Sequence, residues 1–294
     1  MKAQLPTVGG VSASRQWLPA GRWQTVLEFL SERFPRVGAE RWAARMSRGE
    51  VVDEEGRRLQ PSSPYRAGAC VFYYREAEAE ESIPFAERVL YQDEHLLVAD
   101  KPHFLPVVPA GRYLRETLLA RLKRGGAPDT LVPLHRLDRE TAGVVLFSVN
   151  RKTRGLYCSL FERREVRKLY EALAPTDARL ELPLVRRSRI VAGEPFFRMR
   201  EADGEPNSET RVEALGASGG VTLYRLSPLT GRKHQLRVHL AALGIPILND
   251  RLYPERRPAE RDDFGTPLKL LARSVAFRDP LTGRERYFES GREL

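Results

Sequence analysis

The sequence predicts an α+β protein, in which short strands and amphipathic helices follow one another along most of the chain. Stretches such as GVVLF (residues 143–147) are rich in β-branched and aromatic residues, which is typical of buried strands. Stretches such as RYLRETLLARLKR (residues 112–124) instead repeat apolar residues at helical spacing. The chain has 294 residues and is 41% hydrophobic, which is enough for one large domain or for a small domain plus a medium one.

Composition divides the first part of the chain into three segments. Residues 1–20 are rich in glycine, serine and proline, and we expect a flexible tail there. Residues 21–75 predict a small module of two short helices, a hairpin and a further strand. Residues 76–84 begin with the charge run EAEAEE and predict a linker. The two helices are predicted from apolar side chains at helical spacing: Val26, Leu27, Leu30 and Phe34 in the first, Trp42 and Met46 in the second.

Residues 85–294 predict the main α+β domain. DEHLLVADKP contains a strand, and Asn150 can cap a helix over RKTRGLYCSLFERR. VRKLYEALAP predicts a strand and HQLRVHLAALG a helix. The turn at residues 281–284 then predicts a closing hairpin.

The charge of the chain favours a polyanionic partner. Its formal net charge is +10, with 49 lysines and arginines against 39 acids. Nucleic acid is the most common partner of such a protein, although many other soluble proteins are basic as well.

Several classes of protein are disfavoured by the sequence. Two cysteines, Cys70 and Cys158, are too few for a disulfide framework or a four-ligand zinc site, and both are expected to be core thiols. No apolar run approaches the length of a membrane span, and the amino terminus lacks the apolar segment of a signal peptide. We therefore expect a cytoplasmic protein without a membrane segment.

The stretch HRLDRETAG (residues 135–143) places one acid, Asp138, between Arg136 and Arg139 at the beginning of a predicted buried strand. One interpretation is a surface ion pair at a turn, which is worth about 0–1 kcal/mol. The other is a catalytic carboxylate that neighbouring cations keep ionised. This stretch by itself leaves both interpretations open.

Two later stretches add cations and an aromatic ring. TGRKHQLRVHLAALG predicts a helix whose Leu236, Leu240 and Leu243 share one face, so Arg237 projects away from that face near the helix start. In EVRKLYEAL, Lys168 and Tyr170 lie on the same side of a strand. The alternatives are an ordinary solvated basic face and a half-buried core tyrosine.

These motifs, in this order, resemble those of the RluA-type pseudouridine synthases. The resemblance rests on HRLD, the K-x-Y strand and TGRKHQLRVHLAALG, with DEHLLVADKP and LKLLARSVAF beside them, and it covers roughly residues 85 to 290. Two positions depart from the family pattern. Ala142 stands where serine is usual after the catalytic loop, and Leu271 stands where the last strand often carries a histidine.

The resemblance implies the pseudouridine synthase fold, a mixed and largely antiparallel sheet with flanking helices, preceded here by a small α+β RNA-binding-like module. It also implies isomerisation of uridine to pseudouridine in structured RNA, either tRNA or 23S-type rRNA. Asp138 would be the catalytic nucleophile or electrostatic partner, and Arg237 would pair with it. Tyr170 would stack on the target base and Arg136 would help to hold the extruded nucleotide. No metal cluster or nucleotide-binding loop is apparent in the sequence, so we expect the reaction to need no cofactor. We also expect a monomer.

Residues 21–75 resemble the alpha-L RNA-binding motif, with Arg22-Trp23-Gln24 in place of the usual Arg-Leu-Asp. A structural cap is the alternative role for this module. A kinase is excluded, because Asp263-Phe264-Gly265 lies 125 residues after Asp138 and no glycine-rich loop precedes them. The remaining rival is an inactive RNA-binding protein of the same fold.

Overall fold

The fold was analysed in a computed structural model that describes residues 7–75, 80–257 and 262–294. The chain divides into two compact units. The first contains residues 1–80, 109–115 and 120–125, and the second contains the rest of the chain.

The first unit is a three-stranded antiparallel sheet with two helices. Its elements are β1 (Ser14–Trp17), α1 (Val26–Arg33), α2 (Ala39–Ser47), β2 (Val51–Val52) and β3 (Cys70–Tyr73), with the strand order β1-β3-β2. The hydroxyl of Thr25 caps α1 by accepting a hydrogen bond from the Glu28 amide. Val26, Leu30, Trp42 and Met46 lie in its core, as the helical spacing predicts, together with Phe29, whereas the predicted Leu27 and Phe34 are only partly buried.

The prediction of a flexible tail over residues 1–20 is wrong at Ser14–Trp17, which pairs with Cys70–Tyr73. Leu18 follows this strand and is only 2% exposed, so the strand is fastened by a core residue as well as by its hydrogen bonds. The module is therefore wider than residues 21–75. Residues 1–6 of the tail and 76–79 of the predicted linker lie outside the described residues.

The second unit contains the large sheet. Its strands are β4 (Arg88–Gln92), β5 (Leu96–Lys101), β6 (Val132–Pro133), β7 (Ala142–Ser148), β8 (Arg167–Pro175), β9 (Leu184–Ala192), β10 (Met199–Ala202), β11 (Ser208–Ser218), β12 (Val221–Pro228), β13 (Leu270–Arg278) and β14 (Glu285–Glu289). The main path runs β10-β9-β11-β12-β8-β13-β7-β5-β4, and β14 and β6 pair with β13 and β7. Only β13 and β7 pair in parallel among the described strands, so the prediction of a largely antiparallel sheet is confirmed.

Two helices of this unit cover the sheet, namely α4 (Arg154–Glu162) and α5 (Gln235–Ala242). Tyr157 and Leu160 of α4 pack against β5, β7 and β13, and Leu236 and Leu240 of α5 pack against β8 and β12. Both helices were predicted, but Asn150 does not cap α4. Thr153 occupies the N-cap position without a side-chain capping hydrogen bond, and the Asn150 side chain accepts a hydrogen bond from the Lys152 amide.

The helix predicted within residues 112–124 is shorter than its pattern. Helix α3 (Leu118–Arg124) begins six residues into that stretch, although Leu114 is buried before it. Cys70 is a buried thiol as expected, whereas Cys158 is only half-buried. No helix in the described ranges combines the length and the apolar character that crossing a bilayer requires.

Gly143 lies where β7 pairs in parallel with β13, directly after the loop that carries Asp138. Its φ is +116°, and a Cβ at this position would lie 2.2 Å from the carbonyl oxygen of Ala272. Only glycine allows this backbone conformation together with this close approach of two strands.

We predict that Gly143→Ala lowers the free energy of unfolding by about 2 kcal/mol or more, because it adds both backbone strain and a clash. Gly155→Ala is the matched control, since Gly155 lies in α4 and a Cβ there meets no atom within 4 Å. That control should be neutral or stabilise by about 0.5 kcal/mol. Urea unfolding of both variants measures the difference, and equal stabilities would contradict the prediction.

Candidate active site

The loop that precedes β7 is fixed on both sides of Asp138. The Nε2 atom of His135 accepts a hydrogen bond from the Leu146 amide at 3.1 Å, and its ring stacks on Phe161 with centroids 5.1 Å apart. Burial lowers the pKa of His135 to about 3, so the ring is neutral and can accept this bond. After Asp138, the Thr141 amide donates to the Asp138 carbonyl at 3.1 Å and closes a turn.

Lys101 binds the backbone of the loop that carries Asp138. It is the last residue of β5 and is fully buried. Its Nζ donates to three carbonyl oxygens, those of Pro102 at 3.0 Å, Leu105 at 2.7 Å and Arg139 at 3.1 Å. Burial lowers the pKa of Lys101 to about 7, although the negative charges of Glu140 and Asp138 oppose this shift. The bond to the Arg139 carbonyl oxygen connects the backbone on the carboxyl side of Asp138 to the end of β5.

Asp138 faces an open pocket whose empty space, including the part open to solvent, is about 520 Å³. Its side chain is 27% exposed. The nearest side-chain nitrogens are Nη1 of Arg237 at 3.7 Å and Nε2 of His234 at 3.9 Å. Both distances exceed those of hydrogen bonds, so the carboxylate oxygens remain available to a substrate. The pocket is lined by Arg136, Leu137, Asp138, Thr141, Lys168, Tyr170, Pro228, Thr230, Gly231, Arg232, His234, Gln235, Leu236, Arg237 and Leu270.

Arg237 lies behind Asp138 and is itself buried, with 1% of its side chain exposed. Its Nε and Nη2 atoms each donate to a carboxylate oxygen of Asp250 at 2.7 Å. Its Nη1 lies 3.5 Å from Oε2 of Glu140. Burial disfavours the charged guanidinium, but the hydrogen bonds and charges of these acids outweigh it and raise the pKa of Arg237. Arg237 is therefore a permanent cation behind the Asp138 carboxylate.

His234 also lines the pocket and is the second side chain beside Asp138. It is the residue before α5 and has the left-handed conformation, with φ at +56°. The Tyr253 hydroxyl accepts a hydrogen bond from the Met199 amide at 2.7 Å and lies 2.8 Å from Nδ1 of His234. This network assigns the Tyr253 proton to Nδ1, which leaves an N–H at Nε2 facing Asp138. Burial lowers the pKa of His234, so a neutral ring presents this N–H.

The structure brings all four predicted site residues to one pocket, namely Arg136, Asp138, Tyr170 and Arg237. Tyr170 lines the pocket and also packs against the core cluster beneath β8 and β12. Burial, with a contribution from the charge of Asp138, raises the pKa of its hydroxyl, so Tyr170 stays protonated at neutral pH. Arg136 is exposed at the rim of the pocket.

Two expectations about the surroundings of Asp138 are wrong. Arg237 does not belong to a solvated basic face, because Asp250 makes its burial possible. Asp138 is also not a lone acid, since Glu140 and Asp250 share Arg237 with it. Sequence reasoning missed Lys101 and Asp250. The available signal was a charged residue at the end of an apolar run, in LLVADK and in GIPILND.

Comparisons with known proteins decide the family. The family described as RNA pseudouridylate synthase matches residues 95–242, which include Asp138, Tyr170 and Arg237. The chain belongs to this family. An uncharacterized RNA pseudouridine synthase of Synechocystis is 32% identical over 235 residues, covering 78% of this chain and 79% of its own. The dual-specificity RNA pseudouridine synthase RluA of Escherichia coli O6:H1 is 35% identical over 212 residues, covering 69% of this chain and 91% of its own.

Solved structures agree with the sequence comparison. Human RNA pseudouridylate synthase domain containing 1 superposes with a TM-score of 0.58 at 25% identity, covering 73% of this chain and 86% of its own. The predicted RluA-type family and its fold are confirmed. The chain is thus an RNA pseudouridine synthase, an isomerase, and the rival of an inactive RNA-binding protein is not favoured.

We predict that Asp250→Ala lowers the free energy of unfolding by about 3–5 kcal/mol, because it leaves the buried guanidinium of Arg237 without its partner. Glu165→Gln is the control, since it breaks an exposed pair with Arg163 and should change stability by about 0.5 kcal/mol or less. Chemical denaturation gives both values. A loss below about 1 kcal/mol in Asp250→Ala would show that water reaches Arg237.

Proposed function

We propose that this pseudouridine synthase modifies uridine in structured RNA, either tRNA or large-subunit rRNA, through Asp138. The observation that carries the proposal is a carboxylate that faces the pocket without a hydrogen bond, 3.7 Å from a buried arginine. The names of its relatives support the class of RNA. Several are dual-specificity RNA pseudouridine synthases, and a mitochondrial relative from Saccharomyces cerevisiae, 32% identical over 171 residues, is named a tRNA pseudouridine(32) synthase.

The reaction breaks the bond between C1′ of the ribose and N1 of uracil. The base turns, C5 bonds to C1′, the proton on C5 is lost and N1 takes up a proton, so that substrate and product are isomers. Asp138 can attack C6 of the base, attack C1′, or assist a glycal route, and all three routes require an ionised carboxylate with a free oxygen. Nη1 of Arg237 and Nε2 of His234 lie 3.7 and 3.9 Å from that carboxylate.

The target uridine has to leave its base stack to reach Asp138, which costs a few kcal/mol. Tyr170 lines the pocket with Asp138, and we assign its ring to stacking on the uracil. Arg136 lies at the rim, where its cation can hold the extruded nucleotide. The walls of the pocket supply every group named in this scheme, so the reaction as proposed uses no cofactor.

The first unit is proposed to bind the same RNA. It exposes Arg22, Arg33 and Arg36, and its helices α1 and α2 are followed by strands, as the resemblance to the alpha-L motif implies, although β1 precedes them. We further propose that the protein acts as a monomer in the cytoplasm. Deletion of residues 1–75 tests the first unit if affinity for the substrate RNA is compared in the deleted and full-length proteins.

We predict that Asp138→Asn reduces tritium release from RNA containing 5-tritiated uridine at least a hundredfold, because the amide cannot act as the nucleophile. RNA affinity and the melting temperature should remain close to wild type. Asp177→Asn, at an exposed turn where Asp177 pairs with Arg179, is the control with full activity. Carbodiimide mapping of RNA from cells with and without the gene identifies the target uridine. Activity in Asp138→Asn above about a hundredth of wild type would remove Asp138 from its role.

Tyr170 generates a separate prediction. Tyr170→Phe retains the ring and should bind RNA almost as wild type does, whereas Tyr170→Ala should weaken binding by about 1–3 kcal/mol. If the hydroxyl assists removal of the C5 proton, the Phe variant will form the new carbon–carbon bond and then stall. Binding assays with single-turnover kinetics measure these effects.

The core contacts of Tyr170 require a correction for folding, because the Ala variant should also have a lower melting temperature. Affinity and rate are therefore calculated per folded molecule. If Ala changes stability alone, Tyr170 is a packing residue and its assigned contact with the base is wrong.

A further inference from the structure

A second pocket lies beside the active-site pocket in the same unit. It is open, has a volume of about 660 Å³, and shares Thr230 and Arg232 with the active-site pocket. Its other walls come from the turn after α4, from β9, and from the start of β11 with the two residues before it. Three of its eight lining residues are arginines and one is an acid: Arg164, Arg187, Arg232 and Glu209.

Arg232 is fixed at the boundary between the two pockets. Its Nε donates to the carbonyl oxygen of Asn207 at 3.1 Å. Asn207 is itself held, because its side chain exchanges two hydrogen bonds with the backbone of Ile190, at 2.9 and 3.0 Å. The Nη groups of Arg232 form no hydrogen bond or ion pair with any described residue, so they can donate to a ligand.

Arg164 supplies a second uncompensated cation. It follows α4 in the left-handed conformation, with φ at +59°, and its side chain is exposed. No residue of the described ranges forms an ion pair with it. Arg187 differs, because it pairs with Glu209 at 2.9 Å. The pocket therefore has two unpaired guanidinium groups, on separate elements, next to the position proposed for the target nucleotide.

We infer that this second pocket binds the RNA backbone, with Arg164 and Arg232 contacting phosphodiester groups that flank the target uridine. The inference rests on the proposed function, since it takes the active-site pocket as the position of that uridine. A polynucleotide with one base in the active-site pocket has to continue past its rim, and Arg232 lies on that rim. Guanidinium groups bind phosphate oxygens through paired N–H donors, so two of them can fix the path of one strand.

The test pairs a protein variant with a chemically altered RNA. The RNA is a stem-loop containing the mapped target uridine, with an uncharged methylphosphonate replacing one phosphodiester at a time, at the two linkages on each side. For at least one linkage, the replacement should raise the KM of the wild type roughly three- to tenfold, because one charge contact is lost.

Arg164→Gln should raise KM for the unaltered RNA by a similar factor. At the same linkage, the methylphosphonate should then raise the KM of this variant by less than about twofold, because the contact is already absent. The slope of log Kd against log salt should also fall by about 0.7 for one lost phosphate contact on a single strand. Arg164→Lys should recover part of the affinity.

Arg163→Gln is the matched control. Arg163 is the preceding residue, carries the same charge, pairs with Glu165 at 2.8 Å and does not line the pocket. It should leave KM within about twofold of wild type and leave the effect of every methylphosphonate unchanged. If Arg163→Gln and Arg164→Gln behave alike, or if no linkage depends on Arg164, the inference is overturned. A wild-type protein without tritium release would instead refute the proposed function.

Discussion

The active site depends on one buried ion pair, between Arg237 and Asp250. A guanidinium that is 1% exposed is tolerated only where its hydrogen bonds are satisfied, and Asp250 satisfies two of them in a side-by-side arrangement. Because α5 and the chain before β13 supply one partner each, the pair fixes both relative to the sheet. The remaining nitrogen of Arg237 then has a defined position, from which it faces Asp138 and Glu140.

The two acids that share this nitrogen differ in their surroundings. Burial disfavours the carboxylate of Glu140, but the charges of Arg237 and Arg139 outweigh burial and lower its pKa. Glu140 also accepts a hydrogen bond from Arg139 at 3.1 Å, whereas the Asp138 carboxylate accepts none from the described residues. Glu140 is thus engaged in structure, and Asp138 keeps an oxygen free for a substrate. Asp138 and Glu140 lie two positions apart in the chain, and they differ in whether their carboxylates accept hydrogen bonds from the described residues.

Much of the fold could be predicted from the sequence, because apolar spacing reports which side of a helix or strand is buried. That signal located α1, α2, α4, α5 and β8, and the order of the motifs brought Asp138, Tyr170 and Arg237 together. It failed at Ser14–Trp17, a four-residue strand too short for a periodic pattern. It also failed for Lys101 and Asp250, because both are stabilised by groups that only the folded chain brings near. A charged residue in an apolar stretch indicates that a residue such as Lys101 or Asp250 is buried, but it does not identify the groups that stabilise the charge.

The position of β13 in the sheet differs from its position in the order of translation. This strand lies between β7, which follows Asp138, and β8, which carries Tyr170. During translation, both neighbours leave the ribosome about a hundred residues before β13 does, and they cannot reach their native spacing without it. A nascent chain therefore carries every residue of the catalytic pocket except Leu270 before it can assemble that pocket. A chain that lacks β13 therefore lacks the strand that sets the spacing between β7 and β8.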